Sequence, residues 1–391
     1  LEGQCIENGK VTVYVSGKAY TTTATNNTWS IDVDALTGGD DIEIIAQAEG
    51  KTPSYVVTAS VEFEGEGTEA NPYLITSAKD LQKATGDAYY KLTTDLDLSE
   101  WIEENNDGNG WIPVGGRGPA IMAKIDGNGH KITNLVCDPT YEHIGLFAKI
   151  AKTGYVKNLI VEVSENAQLV GEENVGVIVG YNKGSVSDCH ATANITGGTN
   201  VGGIAGQSDG SVADCHYNGT ITGGTYSGGI VGLSNGEITR CYTDGEVSSS
   251  TDEVYAGGIC GNVASGSLTD SYSTMTISVT GTSSYGAGIA GTNSGSIQSC
   301  YASGNISGFN VSGIISYNNG ADASIGKCVA LNSRIDATRT GLRVLGGLSS
   351  DSKTPGMDNY AMKDMIVSLN NIPQTIYDDP MNGTAKEDSE L

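Results

Sequence analysis

Residues 201–226 read VGGIAGQSDGSVADCHYNGTITGGTY, and the chain says nearly the same thing on either side. From Val175 it runs VGVIVGYNKGSVSDCHATANITGG, and from Ser227 it runs SGGIVGLSNGEITRCYTDGEV. An isoleucine column passes through Phe147, Ile178, Ile204, Ile230, Ile259, Ile289 and Ile314, at intervals of 25 to 31 residues. A second column holds Cys189, Cys215, Cys241, Ser271 and Cys300, with Cys328 slightly later, and a third holds Ile195, Ile221, Val247, Ile277 and Ile306. Units of this length with fixed apolar columns define a solenoid. Between the columns lie only strand-length runs and Gly/Asn/Ser turns, so each unit reads as one coil of a parallel β-helix. Like stacks on like at about 4.8 Å per coil. A residue that fits the narrow interior once then fits it at every turn. A propeller blade would need about four strands and ~40 residues per unit, which the period excludes. About eight coils give a rod on the order of 40 Å long. Right-handed winding is expected, because parallel crossovers strongly prefer that hand.

Composition fits this reading. The 391 residues include 55 glycines and 19 tyrosines against 3 phenylalanines, with 17% charged residues. The glycines recur at fixed places beside Ile and Val, as corners in a β-architecture do. A formal net charge of -25 repels phosphate backbones and anionic lipid, so nucleic acid is excluded as a partner. No stretch approaches the ~20 apolar residues of a membrane helix, so no membrane insertion is expected. No apolar leader opens the chain, and Cys5 in LEGQC lacks the hydrophobic run of a lipid-attachment site.

Two grammars divide the sequence. Residues 1–64 alternate with period two between turn signals: KVTVYVSGKAYTTTAT as two strands around SGK, then WSIDVDAL, DDIEIIAQAEG and SYVVTASVEFE. Strands this short and numerous suggest a small β-sandwich. EGEGTEANPY then reads as a linker, and SAKDLQKATG as the one clear helix. Ser77 caps it, Asp80 completes a capping box, Leu81 and Ala84 form its apolar stripe, and Gly86 ends it. A lone amphipathic helix at the head of a repeat array covers the open end of its core. The fold expected is therefore all-β: a right-handed parallel β-helix over residues 65–391, with its repeat core at about 144–346, preceded by the sandwich.

The core VGGIAG…GSVADC…GTITGG resembles the GLUG-repeat family of secreted and surface proteins of gut bacteria. The flanks GTEANPYLITSAKDLQ, WIPVGG, IDGNGHKITNL and IGLFAKI…GYVKNLIV resemble the lead-in to such repeats. The stretch from Gly9 to Gly50 resembles the bacterial immunoglobulin-like modules of surface adhesins, with a first strand that is short or cut. Departures are Cys260 outside the cysteine column, Ser271 within it, and TGLRVLGGLSS as a degenerate last coil. The terminal MNGTAKEDSEL resembles a segment that in relatives runs on into a Trp-containing close. The resemblance implies an extracellular or bacterial outer-surface location and an adhesive role. It implies no reaction and no cofactor.

Each candidate for chemistry has a plainer reading beside it. In-register cysteines on adjacent coils are too far apart for a disulfide, whose Cβ atoms sit near ~3.8 Å, and no CxxC offers zinc. Buried free thiols are the reading. Asp188 with Asp214, and His190 with His216, stack on neighbouring coils and suggest a metal. The next coil has Arg240 and Tyr242 in those places, so a solvated face is expected and no metal site. NNDGNGW lacks the spacing and closing Glu of a calcium loop, and DGNGH reads as a turn. The position after the cysteine carries His190, His216, Tyr242, Tyr272 and Tyr301. Strand alternation points this column outward if the cysteine points in, and five rungs span about 19 Å. Aromatic stripes stack on sugar rings or anchor proteins; the plainer reading is a ladder stacked on itself. From Val175 to Ser333 there are one arginine, Arg240, and two lysines, Lys183 and Lys327, and no HExxH or P-loop motif. The expected function is a non-catalytic, monomeric, adhesin-like protein binding glycan or a host surface or matrix protein along that column. A polysaccharide-processing β-helix enzyme and a purely structural stalk are the alternatives.

Overall fold

The computed structural model describes residues 2–4, 9–15, 17–26, 28–33, 41–47, 57–60, 63–164, 167–342, 345, 358–379 and 381–390. Two compact units emerge: residues 1–76 with 88–91, and residues 77–87 with 92–391.

In the first unit Lys10–Val15 and Lys18–Thr23 form a hairpin, turning at Gly17 with φ 85°. Asp41–Gln47 pairs antiparallel with the other edge of Lys10–Val15, and Val57–Ser60 with Asp41–Gln47. A second, two-stranded sheet pairs Glu2–Gln4 with Thr28–Ser30. Alternation sends Val11 and Val13 inward, where they share a core with Ala24, Trp29 and Ile42. The expected linker folds on itself as a hydrogen-bonded loop, with Leu74 N donating to Glu64 O and Thr68 N to Asn71 O. Beside it Phe63, Tyr73 and Tyr90 cluster, at 5.2 to 5.6 Å between ring centroids.

The second unit is a parallel β-solenoid. One coil comprises Asn200–Gly202, Ala205–Ser208, Ser211–Ala213 and His216–Gly223. Each strand pairs in parallel with its equivalents 26 residues earlier and later. On one side eight such strands stack, from Lys124–Asp126 to Ser324–Gly326. The isoleucines of the first column from Ile178 to Ile314, and the third column from Ile195 to Ile306, are all buried. Registration corrects one end: Phe147 pairs with Val179, so Leu146 precedes Ile178 in the isoleucine column. The same register explains Cys260, which stacks between Val231 and Ala290 and never belonged with the other cysteines.

The corner before the cysteine column is sharp and the same each time. Asp188, Asp214, Arg240, Asp270, Ser299 and Lys327 all adopt the left-handed conformation, with φ between 52° and 55°. Short polar side chains tolerate that region best, which suits the Asp and Ser; Arg240 and Lys327 show that stacking imposes it regardless. The thiol that follows donates back across the bend: Cys189 Sγ to Ser187 O at 3.1 Å, Cys215 Sγ to Ala213 O at 3.1 Å. Ser271 does the same with its hydroxyl, at 2.8 Å from Thr269 O. Cysteine and serine are thus interchangeable here as small buried donors.

Two glycines show why the repeat is so glycine-rich. A Cβ on Gly206 would lie 2.5 Å from Val175 N, and one on Gly232 2.5 Å from Val201 N. Two strands of neighbouring coils pack backbone to backbone there, which no side chain permits.

At the head of this unit the helix Ala78–Lys83 forms as expected, with Asp80 N donating to Ser77 Oγ at 3.2 Å. It stops at Ala84 rather than Gly86. Its Gln82 side chain donates to Ile112 O at 2.6 Å. A second helix, Ser99–Asn105, was not anticipated. Asp97 supplies its start, accepting from Ser99 N at 2.9 Å and Ser99 Oγ at 2.7 Å. Its Trp101 packs on Trp111 with centroids 4.7 Å apart, and buried Trp111 donates to Leu146 O at 3.0 Å. The last expected coil, TGLRVLGGLSS, lies mostly outside the described residues. Parallel pairing resumes with Tyr360–Met362 on Val329–Ala330 and Ile366–Leu369 on Arg334–Ala337.

Candidate functional site

Because each bend turns its cysteine inward, the next residue opens the long strand with its side chain outward. Those residues are in register: His190 with His216, His216 with Tyr242, Tyr242 with Tyr272, Tyr272 with Tyr301. The cysteines of the column are buried, whereas His190 and Tyr301 are exposed and the three residues between them half-buried. All five rings meet. His190 approaches His216 edge-on at 5.7 Å, and His216 stacks on Tyr242 at 4.1 Å. Tyr242 stacks on Tyr272 at 5.2 Å, and Tyr272 on Tyr301 at 4.8 Å with planes 1° apart.

This geometry decides what the column can offer. The faces of Tyr242 and Tyr272 are covered by their neighbours, so neither lies open to a sugar ring. Ring edges and phenol oxygens remain. Each stacked pair is worth about 0.5–1.5 kcal/mol, so the ladder also strengthens coil-to-coil packing. Partial burial pushes the phenols of Tyr272 and Tyr301 up, keeping them protonated at neutral pH. Burial, and then the neighbouring His216, push the His190 imidazole down. His216 Nε2 sits 3.0 Å from Asp244 Oδ2, and Thr274 Oγ1 donates to the other oxygen of that carboxylate at 2.6 Å. The Thr274 hydroxyl, with His216 adding to it, holds the Asp244 carboxyl below its usual range.

The paired Asp/His columns do not converge on a metal. Arg240 donates to both oxygens of Asp214, from Nε at 2.7 Å and from Nη2 at 2.6 Å. Among the described residues no group of three or more His, Cys, Asp or Glu could hold a metal ion. In NNDGNGW, Asn106 donates instead to Gly110 O at 2.8 Å and to Asp138. In DGNGH, Asp126 Oδ1 accepts from Asn128 N at 2.8 Å, and Asn128 and Gly129 both have positive φ, so it is a turn. Seven cysteines are buried and free, and Cys5 lies outside the described residues. Burial pushes the thiols of Cys215 and Cys300 well up, and that of Cys260 to about 12, so these are neutral core groups.

A second ladder was missed. Tyr226, Tyr255 and Tyr285 stack at 5.5 and 5.1 Å, and Tyr317 joins from another strand at 5.5 Å. Their signal stands in the repeat: a tyrosine two positions before the small-residue pair in YSGG, YAGG and YGAG. In earlier coils the same column holds Asn174 and Asn200, whose amides bond to each other at 2.8 Å. The polar ladder gives way to an aromatic one within a single column.

Fold and column together define a class, a parallel β-solenoid of glycine-rich repeats with stacked side-chain ladders. The model of the GLUG motif matches residues 171–196, the span of one coil, and the coils that follow are in register with it. One coil of the solenoid thus carries the GLUG motif. Over 125 residues, 30% of this chain, the sequence is 36% identical to halomucin of Haloquadratum walsbyi, of which the match spans 1%. Over 133 residues, 31% of this chain, it is 36% identical to a protein of Evansella cellulosilytica named as a Gly-rich membrane protein, of which the match spans 15%. A Bacteroides ovatus structure, solved as a candidate immunoglobulin A1 protease, covers 83% of this chain and 87% of its own at 19% identity. Its TM-score of 0.42 is too low to carry any inference.

Proposed function

We propose that this chain is a non-catalytic, adhesin-like protein that works outside the cell or at its surface. It binds glycan or a host surface or matrix protein along the column His190, His216, Tyr242, Tyr272 and Tyr301. The observation that supports this reading is the outward, in-register aromatic row, rigid because its rings hold one another. Rigid aromatic side chains bind at low entropic cost, and phenol hydroxyls supply directional hydrogen bonds. The names of the halomucin and membrane-protein relatives agree with a surface location. The mutual stacking also favours a second reading, in which the ladder only stiffens a stalk.

The test compares wild type with Tyr242→Ala/Tyr272→Ala/Tyr301→Ala on a glycan array, mucin and matrix proteins, with circular dichroism as the fold control. Binding that disappears in a folded variant places the site on the column. Equal binding by both proteins removes the column from the site. Binding by neither leaves the stalk.

A further inference from the structure

The ring column is one edge of a wider flat surface. The segments 190–197, 216–223, 242–249, 272–279 and 301–307 run side by side, and alternate residues of each point outward. Beyond the rings and the intervening Asn218 and Asp244, Thr220, Glu246 and Thr276 form one in-register column and Thr222, Ser248 and Ser278 another. All six are exposed or half-buried. The columns repeat about every 4.8 Å along the solenoid, and about 6.6 Å separates them along each strand.

We infer that this whole face, resting on the binding role proposed above, takes an uncharged polysaccharide chain. Three features select that ligand. The five segments contain no lysine or arginine, while Asp244 and Glu246 lie among them and the chain as a whole carries -25. Sulfated and uronic-acid polymers are therefore repelled. Protein partners need desolvated apolar or arginine anchors, and Tyr301 alone among the exposed large hydrophobics of the described residues lies on these segments. What the face does offer is hydroxyl, amide and carboxylate groups with ring edges beside them. That set pairs with sugar hydroxyls, each able both to donate and to accept. A linear polymer engages successive rungs at once, so its binding strengthens with chain length.

The variant Thr220→Val/Thr222→Val/Thr276→Val removes three outward hydroxyls and keeps the β-branched shape, so its melting temperature serves as the fold control. The probes are neutral dextran, mannan, cellulose and chitin, anionic alginate and heparin, and collagen and fibronectin. Wild type is expected to prefer neutral polymers over their disaccharides and over the anionic ones. The valine variant should bind at least about tenfold more weakly, as befits three lost hydrogen bonds. Valine-variant binding equal to wild type, with loss in the tyrosine variant, overturns the wide-face inference and leaves the ring column standing. A preference for anionic polymers or for the matrix proteins also overturns it, again without touching the binding role. No binding to any probe sinks both.

Discussion

In the N-terminal unit, Val11, Val13, Trp29 and Ile42 meet once each, and no two make the same contacts. In the solenoid, Ile178, Ile204 and Ile230 are bonded backbone to backbone in sequence, and each finds the surroundings of the one before it. An antiparallel sandwich closes its core with unlike residues; a coil closes it with copies. In the copied core each coil's stability is a nearest-neighbour sum, and one conformational solution serves every turn. The comparison also explains the difference in tolerance. In the N-terminal core Trp29 has no copy, whereas the cysteine column accepts a serine.

The comparison breaks or sharpens on five measurements. Trp29→Ala should cost the sandwich about 3–5 kcal/mol, and Ile230→Ala should cost the solenoid about 2–5 kcal/mol. Denaturant melts would show the first removing the sandwich's transition and the second lowering the solenoid's. If Ile230→Ala left the solenoid midpoint unchanged, the copied core would not be the source of its stability. Tyr272→Ala breaks two stacked pairs and should cost about 1–3 kcal/mol, read from the same melts. A cost near zero would mean the ladder is held by the backbone alone.

Acid should act on the ladder in a fixed order. The folded His190 has a lowered pKa, so the unfolded chain binds its proton more readily. The stability tied to neutral His190 is full above its ordinary 6.5 and is lost as pH falls below that value toward the folded pKa. Asp214, held down by Arg240, and Asp244, held down by Thr274, follow below their ordinary 3.8. Melting temperature against pH should therefore drop in two stages on acidification, with His190→Gln shrinking the upper one and His143, whose imidazole burial also pushes down, supplying the rest. The smallest effect belongs to Cys215→Ser, expected within about 1 kcal/mol of wild type because Ser271 already makes the same bond in the same column. A large loss there would mean that the hydrophobic character of the thiol outweighs its bond across the bend.

Much of this was legible in the residues. The spacing of Ile204 and Ile230, with Cys215 and Cys241 between turns, contains the solenoid, and the outward direction of Tyr242 and Tyr272 follows from strand parity. The helix at Ser99 was hidden because Leu98, not a capping residue, precedes it, and Asp97 does the work from one position further back. Phe147 misled by one residue because an aromatic can occupy either of two adjacent buried columns. The second tyrosine ladder was overlooked because Asn174 and Asn200 precede the tyrosines in its column.

The sequence by itself determined the coil, its period and which residues face the core, because a repeat confined to a narrow interior writes its constraints at every turn. Only the tertiary structure decided how the outward side chains meet. Whether Tyr242 opens its face to a ligand or covers it with Tyr272 depends on ring rotation in the few ångströms between coils. Whether Asp214 waits for a metal or closes on Arg240 depends on a reach of one coil. Neither leaves a periodic mark, since both are settled by side-chain torsions that the spacing of residues does not fix.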